Sequence, residues 1–379
     1  MGMPVLQVEP DPSFTRTVIA AGAGDLKKCC LECGVCTAAC DLAPEEAPFP
    51  RQQMVYAQWG LEEKALGDPA IWLCHDCGDC TEQCPKGARP GDVMAALRRE
   101  AIKEYAFPHF MGKLVAKPQG LFALLALPAL IFATIALWAP RGVATPTLEF
   151  ANVFPIPTLE ALFFTLSGLV VVLFGLSLRQ MLAAWNRGGE RGRILPNLLP
   201  AFRAVVTHER FRNCRQEHSR YLGHLLTFWG FAGLAMTGTA VGMGTMLGVM
   251  RTPLSLTSPF KLFANLCAVV ILVGAVMLLV DRFRNGEKLH HSTYFDWFFV
   301  LTLAGVALTG LLSELLRLGQ IAQVMYGIYF VHLVLIFALL VYAPYSKFAH
   351  LLYRTVAVAY ANGSGKSGTG EGDTPTERG

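Results

Sequence analysis

Apolar and polar positions divide this chain in two. Up to about residue 118 they are mixed, whereas long apolar runs dominate from 119 to 350. Six runs stand out: Gly120 to Ala139, Leu159 to Leu178, Tyr221 to Leu247, Phe260 to Val280, Phe295 to Leu316 and Val324 to Pro344. Each approaches or exceeds the ~20 residues a helix needs to cross a bilayer, and six of them fit poorly with buried helices of a soluble core. In the first part, RQQMVYAQW between Pro50 and Gly60 predicts a short helix and a second precedes Asp68-Pro69. GDVMAALRREAIKEY predicts a longer helix leading to the membrane. Strand signals are scarce, so the expected fold is all-α.

The last apolar run ends FVHLVLIFALLVYAPYSKFAH, residues 330 to 350, with a histidine near each end. Read as one helix, the interval from His332 to His350 makes about five turns, which puts both imidazoles on one face roughly 27 Å apart. A hydrocarbon core is about 30 Å thick, so one imidazole is expected near each membrane surface.

Composition agrees with a membrane protein. Hydrophobic residues make up 53%, charged residues only 16%, and mean hydropathy is +0.41, which excludes an ordinary soluble enzyme. The modest net charge of +4 reflects topology and not nucleic-acid binding. Nine arginines crowd 179 to 220, and Arg282, Arg284 and Lys288 follow the fourth run; the other connections carry only Arg141, Arg251 and Arg317. The positive-inside rule puts the basic loops, and with six spans both termini, in the cytoplasm. The opening MGMPVLQVEPDPSFTRTV lacks the basic start and apolar run of a secretory signal. Cytoplasmic membrane is therefore the expected location.

A reducing compartment makes clustered thiols metal ligands more readily than disulfides. The chain shows no internal repeat, yet two segments share one spacing. CLECGVCTAAC gives Cys30, Cys33, Cys36 and Cys40; CHDCGDCTEQCP gives Cys74, Cys77, Cys80 and Cys84 before Pro85. Both are the C-x2-C-x2-C-x3-C run of bacterial ferredoxins, whose fourth cysteine ligates the other cluster. Cys30, Cys33, Cys36 and Cys84 are thus expected on one [4Fe–4S] cluster, and Cys74, Cys77, Cys80 and Cys40 on a second. A pair of zinc sites is the bland alternative and prefers two separated cysteine pairs. Cys29 is spare by spacing, and Cys214 and Cys267 read as small inert residues. The expected organisation is an extension (1–25), a helical ferredoxin domain with two clusters (26–110), a six-helix transmembrane domain (111–355) and a disordered tail (356–379).

His224 lies about one turn inside the third run, at the cytoplasmic end, and His350 ends the sixth at similar depth. Two imidazoles at matched depth on two helices can ligate one b-type haem. Ala235, Gly238 and Gly242 share a face with His224 and read better as a helix-packing strip than as a bed for a macrocycle. His332 is expected near the outer surface, where an intramembrane histidine is functional or paired. The matching step along the third run reaches Gly242, so His332 has no imidazole partner in sequence. His208, His218, His290 and His291 fall in cytoplasmic loops. Glu314 and Arg317 are polar candidates for a quinone site or, equally, an interfacial ion pair.

The ending VHLVLIFALLVYAPYSKFAH resembles the final helix of the respiratory nitrate reductase gamma subunit family of cytochromes b, in which two histidines at this interval bind distal and proximal haems. The cysteine block resembles the C subunits of heterodisulfide reductases. With FPRQQMVYAQWG, DPAIWLC and CPKGARPGDV, the fusion resembles the C subunit of the quinone-interacting membrane-bound oxidoreductase (Qmo) complex from about Lys28 to His350. That resemblance implies two [4Fe–4S] clusters, haem b at His224 and His350 with His332 at a second site, and menaquinone as substrate. It also implies cytoplasmic flavin and iron–sulfur partners similar to the A subunits of heterodisulfide reductases, and a link to adenylylsulfate reductase. The chain would then serve electron transfer within a complex. A heterodisulfide reductase-like or other quinone-linked dehydrogenase complex, and a membrane-anchored iron–sulfur redox sensor, stand as alternatives.

Overall fold

The structure, a computed structural model, describes residues 9–24, 26, 30–44, 48–138, 148–187, 192–209, 218–289 and 292–364. Helix is the regular structure throughout these residues. Six helices are long and apolar enough to cross a membrane: Pro118–Trp138, Ile156–Asn186, Ser219–Met246, Pro259–Arg284, Tyr294–Leu318 and Ala322–Val341. The second outruns its sequence estimate. Its 31 residues reach about 46 Å, well past a ~30 Å hydrocarbon core, and the excess carries Trp185 to pack edge-on against Tyr360 at 5.3 Å.

Consecutive spans from the third to the sixth pack against one another, and the first and second lie on the sixth. Glycine sets the closest of these approaches. Gly223, Gly230 and Gly233 of the third span face Cys267, Ile271 and Gly274 of the fourth. A Cβ on Gly274 would meet Thr227 Oγ1 at 2.5 Å and the Gly223 carbonyl oxygen at 2.8 Å. The packing strip expected from sequence is a different one: Gly238 has open space around it, and Gly242 faces the Phe164 ring. Which glycines matter depends on where the neighbouring helix crosses, and the third span alone carries no record of that.

The sixth span does not run on to His350. It ends at Val341, passes through two short 3-10 turns, Ala343–Tyr345 and Lys347–Ala349, and a new helix spans His350–Gly363. Pro344 lacks the N–H that would continue the ladder, and Ser346 Oγ accepts from the Phe348 N–H at 3.2 Å to restart it. Tyr342 Oη donates to the Leu124 carbonyl at 2.8 Å and Tyr345 Oη to that of Phe107 at 2.7 Å, tying this break to the entrance of the first span. The single-helix estimate of face and distance between His332 and His350 therefore does not apply.

Two domain limits also change. Residues 356–363, expected in a disordered tail, are helical, with Val356 to Ala361 buried; this run, apolar all round, finds cover under the helix Ile194–Val206 and the cysteine domain. The expected extension is not separate either. The helix Pro12–Val18 puts Phe14 and Val18 into the core of the cysteine domain, and the Asp11 N–H donates to the Gly60 carbonyl at 3.0 Å. Within that domain Arg51–Trp59, Glu62–Leu66 and Pro90–Tyr105 are the helices expected from sequence.

Gly→Ala in an open helix position gains up to about 1 kcal/mol, whereas overpacking costs about 1–3 kcal/mol. Thermal unfolding of detergent-purified protein is therefore expected to show Gly274→Ala melting below the parent and Gly238→Ala at or above it.

Candidate functional site

Two loops of like sequence wind alike. Glu32 and Gly34 in the first, and Asp76 and Gly78 in the second, all take positive φ: 55° and 84°, then 58° and 94°. Alternating handedness of this kind turns successive backbone N–H groups inward, a nest for an anionic group. Each loop also carries a threonine after its third cysteine that accepts from the start of a following helix. Thr37 Oγ1 accepts from the Arg51 N–H at 3.3 Å, and Thr81 Oγ1 from the Gly91 N–H at 3.1 Å. The cysteine domain thus does contain a repeat, loop plus helix, hidden in sequence because only the cysteine spacing and few other letters are shared.

The two loops bring the eight cysteines into two cavities. Cys30, Cys33, Cys36 and Cys84 line one; Cys40, Cys74, Cys77 and Cys80 line the other. Each cavity is closed by the fourth cysteine of the opposite run. Backbone N–H groups already serve the sulfurs: Asp76 N–H to Cys74 Sγ and Ala88 N–H to Cys84 Sγ, both 3.3 Å. Burial, and then Cys74 beside it, pushes the Cys40 thiol up to about 12; burial, and then Cys30, pushes Cys36 up to about 11. A thiolate set in either cavity therefore requires positive charge at its centre, as bound iron would supply. Among the described residues no three Cys, His, Asp or Glu groups converge on a single-ion site. The donor sets suit a cubane, which spreads its irons, better than one zinc ion. Cys29 and Cys214 lie outside the described residues; Cys267 is buried between the third and fourth spans.

A second site forms where the third span meets the helix that begins at His350. The His224 and His350 ring centres stand 6.2 Å apart. Imidazoles gripping one metal ion from opposite sides, with bonds of about 2 Å, have centres about 6 Å apart. The hydrogen bonds also select the tautomers. His350 Nδ1 donates to the Lys347 carbonyl at 2.5 Å, so a metal would be met by its Nε2. His208 Nδ1 lies 3.1 Å from the Val206 carbonyl, which only accepts, so a neutral His208 carries its proton there and its Nε2 accepts. His224 Nδ1, 2.9 Å from that Nε2, is then the donor, so a metal would be met by its Nε2. The residues fit a bis-histidine haem.

His208 was missed from sequence, where it fell in a basic loop. It is buried, with φ 54°, and follows the helix Ile194–Val206. That helix exposes Leu195, Leu199 and Phe202 while burying Ala201, the pattern of a helix lying on a bilayer surface, and the apolar spacing of ILPNLLPAF was its available signal.

His332 is not brought near a second imidazole among the described residues: its Nδ1 is 3.0 Å from Thr309 Oγ1, against the backbone of Gly310. Glu314 is buried and pairs at 2.8 Å with Lys261 of the fourth span rather than with Arg317.

This is an all-α chain in which a two-cavity cysteine domain is joined to six membrane-length helices. Residues 27–88 match the model of the 4Fe-4S dicluster domain family, so the cysteine block is an iron–sulfur electron-transfer domain. It is 37% identical over 93 residues to the C subunit of the H(2):CoB-CoM heterodisulfide,ferredoxin reductase of Methanothermobacter thermautotrophicus, covering 24% of this chain and 50% of that one. It is 38% identical over 78 residues to a protein of Archaeoglobus profundus described as like the heterodisulfide reductase C subunit, covering 20% and 42%. The chain thus spans about half the length of these curated relatives or less. A longer likeness is to citrate utilization protein B of Escherichia coli, 26% identical over 311 residues, 76% of this chain and 79% of that one. No solved structure matches.

The crossed lining of the cavities has a direct consequence. Cys40→Ser is expected to deplete the Cys74 cavity and Cys84→Ser the Cys30 cavity, each variant keeping about four of about eight irons per chain, by iron analysis of anaerobically purified protein.

Proposed function

We propose that the chain is the membrane component of an oxidoreductase complex, moving electrons between menaquinone, or another quinone, and cytoplasmic flavin and iron–sulfur proteins. The observation that carries this reading is the His224–His350 pair, with ring centres 6.2 Å apart on two helices whose Arg220 and Arg354 reach the Cys74 loop. When bound, haem b and two [4Fe–4S] clusters supply one-electron carriers on the two sides of that junction. His224 and His350 hold the haem iron; His208 and Lys347 fix their ring orientation through Nδ1. The eight cysteines hold the clusters, and the nest-like loops lend them N–H donors. The basic loops set the cysteine domain on the cytoplasmic side. The likeness to heterodisulfide reductase C subunits supports flavin and iron–sulfur partners similar to the A subunits of those enzymes. The resemblance to Qmo C subunits extends the proposal to adenylylsulfate reductase and dissimilatory sulfur metabolism.

A second reading is favoured by the likeness to citrate utilization protein B, which covers the membrane half as well. It makes this a membrane module used by complexes with other soluble partners. Co-purifying proteins separate the two: adenylylsulfate reductase with flavin proteins supports the first.

Haem analysis tests the core of the proposal. A single haem b per chain is expected, since no second imidazole stands near His332 among the described residues, with reduction on adding a menaquinol analogue. His350→Ala is expected to abolish haem binding, and His208→Phe to retain haem with an altered midpoint potential. A colourless, folded parent protein made with adequate haem supply would overturn the proposal.

A further inference from the structure

The equivalence of the two cysteine loops exposes a difference between them. In the first loop the Glu32 carbonyl accepts from Arg51 Nε at 2.9 Å, a donor from within the cysteine domain. The equivalent carbonyl of the second loop, Asp76, accepts instead from Arg220 Nη1 at 2.5 Å, and Arg220 belongs to the third membrane span. Arg220 Nη2 also approaches the Asp76 carboxylate at 3.5 Å. Just upstream in the same loop, Arg354 Nη2 donates to the carbonyls of Cys74 at 2.9 Å and Leu73 at 3.2 Å. Arg98 completes the group, with Nη1 on the Cys74 carbonyl at 2.7 Å and Nη2 3.7 Å from Asp76.

The origin of the two membrane-side arginines is informative. Arg220 lies four residues before His224, and Arg354 four residues after His350. Residues at that spacing share a helix face, so each histidine-bearing helix presents an imidazole and, one turn closer to the cysteine domain, a guanidinium. The Cys74 loop thus receives three guanidinium groups beside its own Asp76 and Asp79, the latter accepting from Cys77 Sγ at 3.3 Å, whereas the Cys30 loop receives Arg51 beside Glu32, with Lys86 on its cavity wall. Burial separates the cavities in the same sense: Cys74 and Cys80 are buried, while Cys33 is exposed.

We propose that Arg220 and Arg354 are positioning residues that latch the Cys74 loop onto the two histidine helices and hold positive charge against it, making the Cys40–Cys74–Cys77–Cys80 cluster the membrane-facing member of the pair. The Cys30–Cys33–Cys36–Cys84 cluster is the outward-facing member, presented to a soluble partner. This inference rests on the iron–sulfur and haem reading above. Positive charge and N–H donors stabilise the more negative, reduced form of a cluster and raise its potential. The latch therefore acts on one cluster only.

Potentiometric titration with dithionite, read by electron paramagnetic resonance on the full-length protein in detergent, tests this. Arg220→Gln and Arg354→Gln are each expected to lower the midpoint potential of one and the same cluster, the one that Cys40→Ser removes. Arg51→Gln is expected to lower that of the other, the one lost in Cys84→Ser. Arg220→Lys, which keeps the charge, is expected to recover most of the shift and stands in for Arg220→Gln should the latter not assemble. Two clusters in the parent whose potentials ignore Arg220 and Arg354, or a shift in the Cys84-dependent cluster instead, would overturn the latch. A parent lacking two clusters would defeat the functional reading itself, which is a separate result.

Discussion

Guanidinium groups from two membrane-anchored helices reach the carbonyl oxygens of residues 73 to 76, and the relation between the two halves of the molecule depends on that contact. Hydrogen bonds to charged groups contribute about 1.5–3 kcal/mol each, more than a surface ion pair, because the acceptors here are largely shielded from water. Aromatic packing reinforces them: Tyr353 stands edge-on to Trp72 at 5.1 Å and to Tyr105 at 5.9 Å. The helix His350–Gly363 is thus both the carrier of an imidazole and the post on which the cysteine domain sits.

Such a junction constrains the chain around it. The sixth span has to stop at Val341 so that His350 can begin a helix in a new direction, and Pro344 together with Ser346 makes the stop and the restart. Lys347 lies within this break, half-buried and paired at 2.6 Å with the buried Asp296, the residue that also closes a capping box on Thr293 at the head of the fifth span. Removing Lys347 leaves the buried Asp296 carboxylate uncompensated, which is costlier than losing an exposed pair. The same few residues therefore fix the start of the fifth span, the end of the sixth and the position of His350.

The cysteine sets make physical sense with iron–sulfur clusters in place. Thiols held high by burial and by one another are a poor arrangement for an empty protein. They are a good one for holding iron. Polar atoms gathered at this density in a largely apolar chain cost stability unless something binds them.

Much of this was legible in the chain itself. Long apolar runs dictate spans because a backbone in lipid must satisfy its own hydrogen bonds, and C-x2-C-x2-C-x3-C places three thiols in one short loop whatever surrounds it. The crossed cysteine pairing and the His224–His350 pair could be anticipated for the same reason: spacing and membrane depth are properties of the linear sequence. Tertiary structure alone decided the rest. His208 reaches His224 only because a positive-φ turn after Ile194–Val206 folds it back, Gly274 matters only where Thr227 crosses it, and Arg220 and Arg354 act on Asp76 and Cys74 across separations of 144 and 280 residues. Contacts between residues so far apart in the chain are set by how whole helices pack, and no local pattern of residues encodes them.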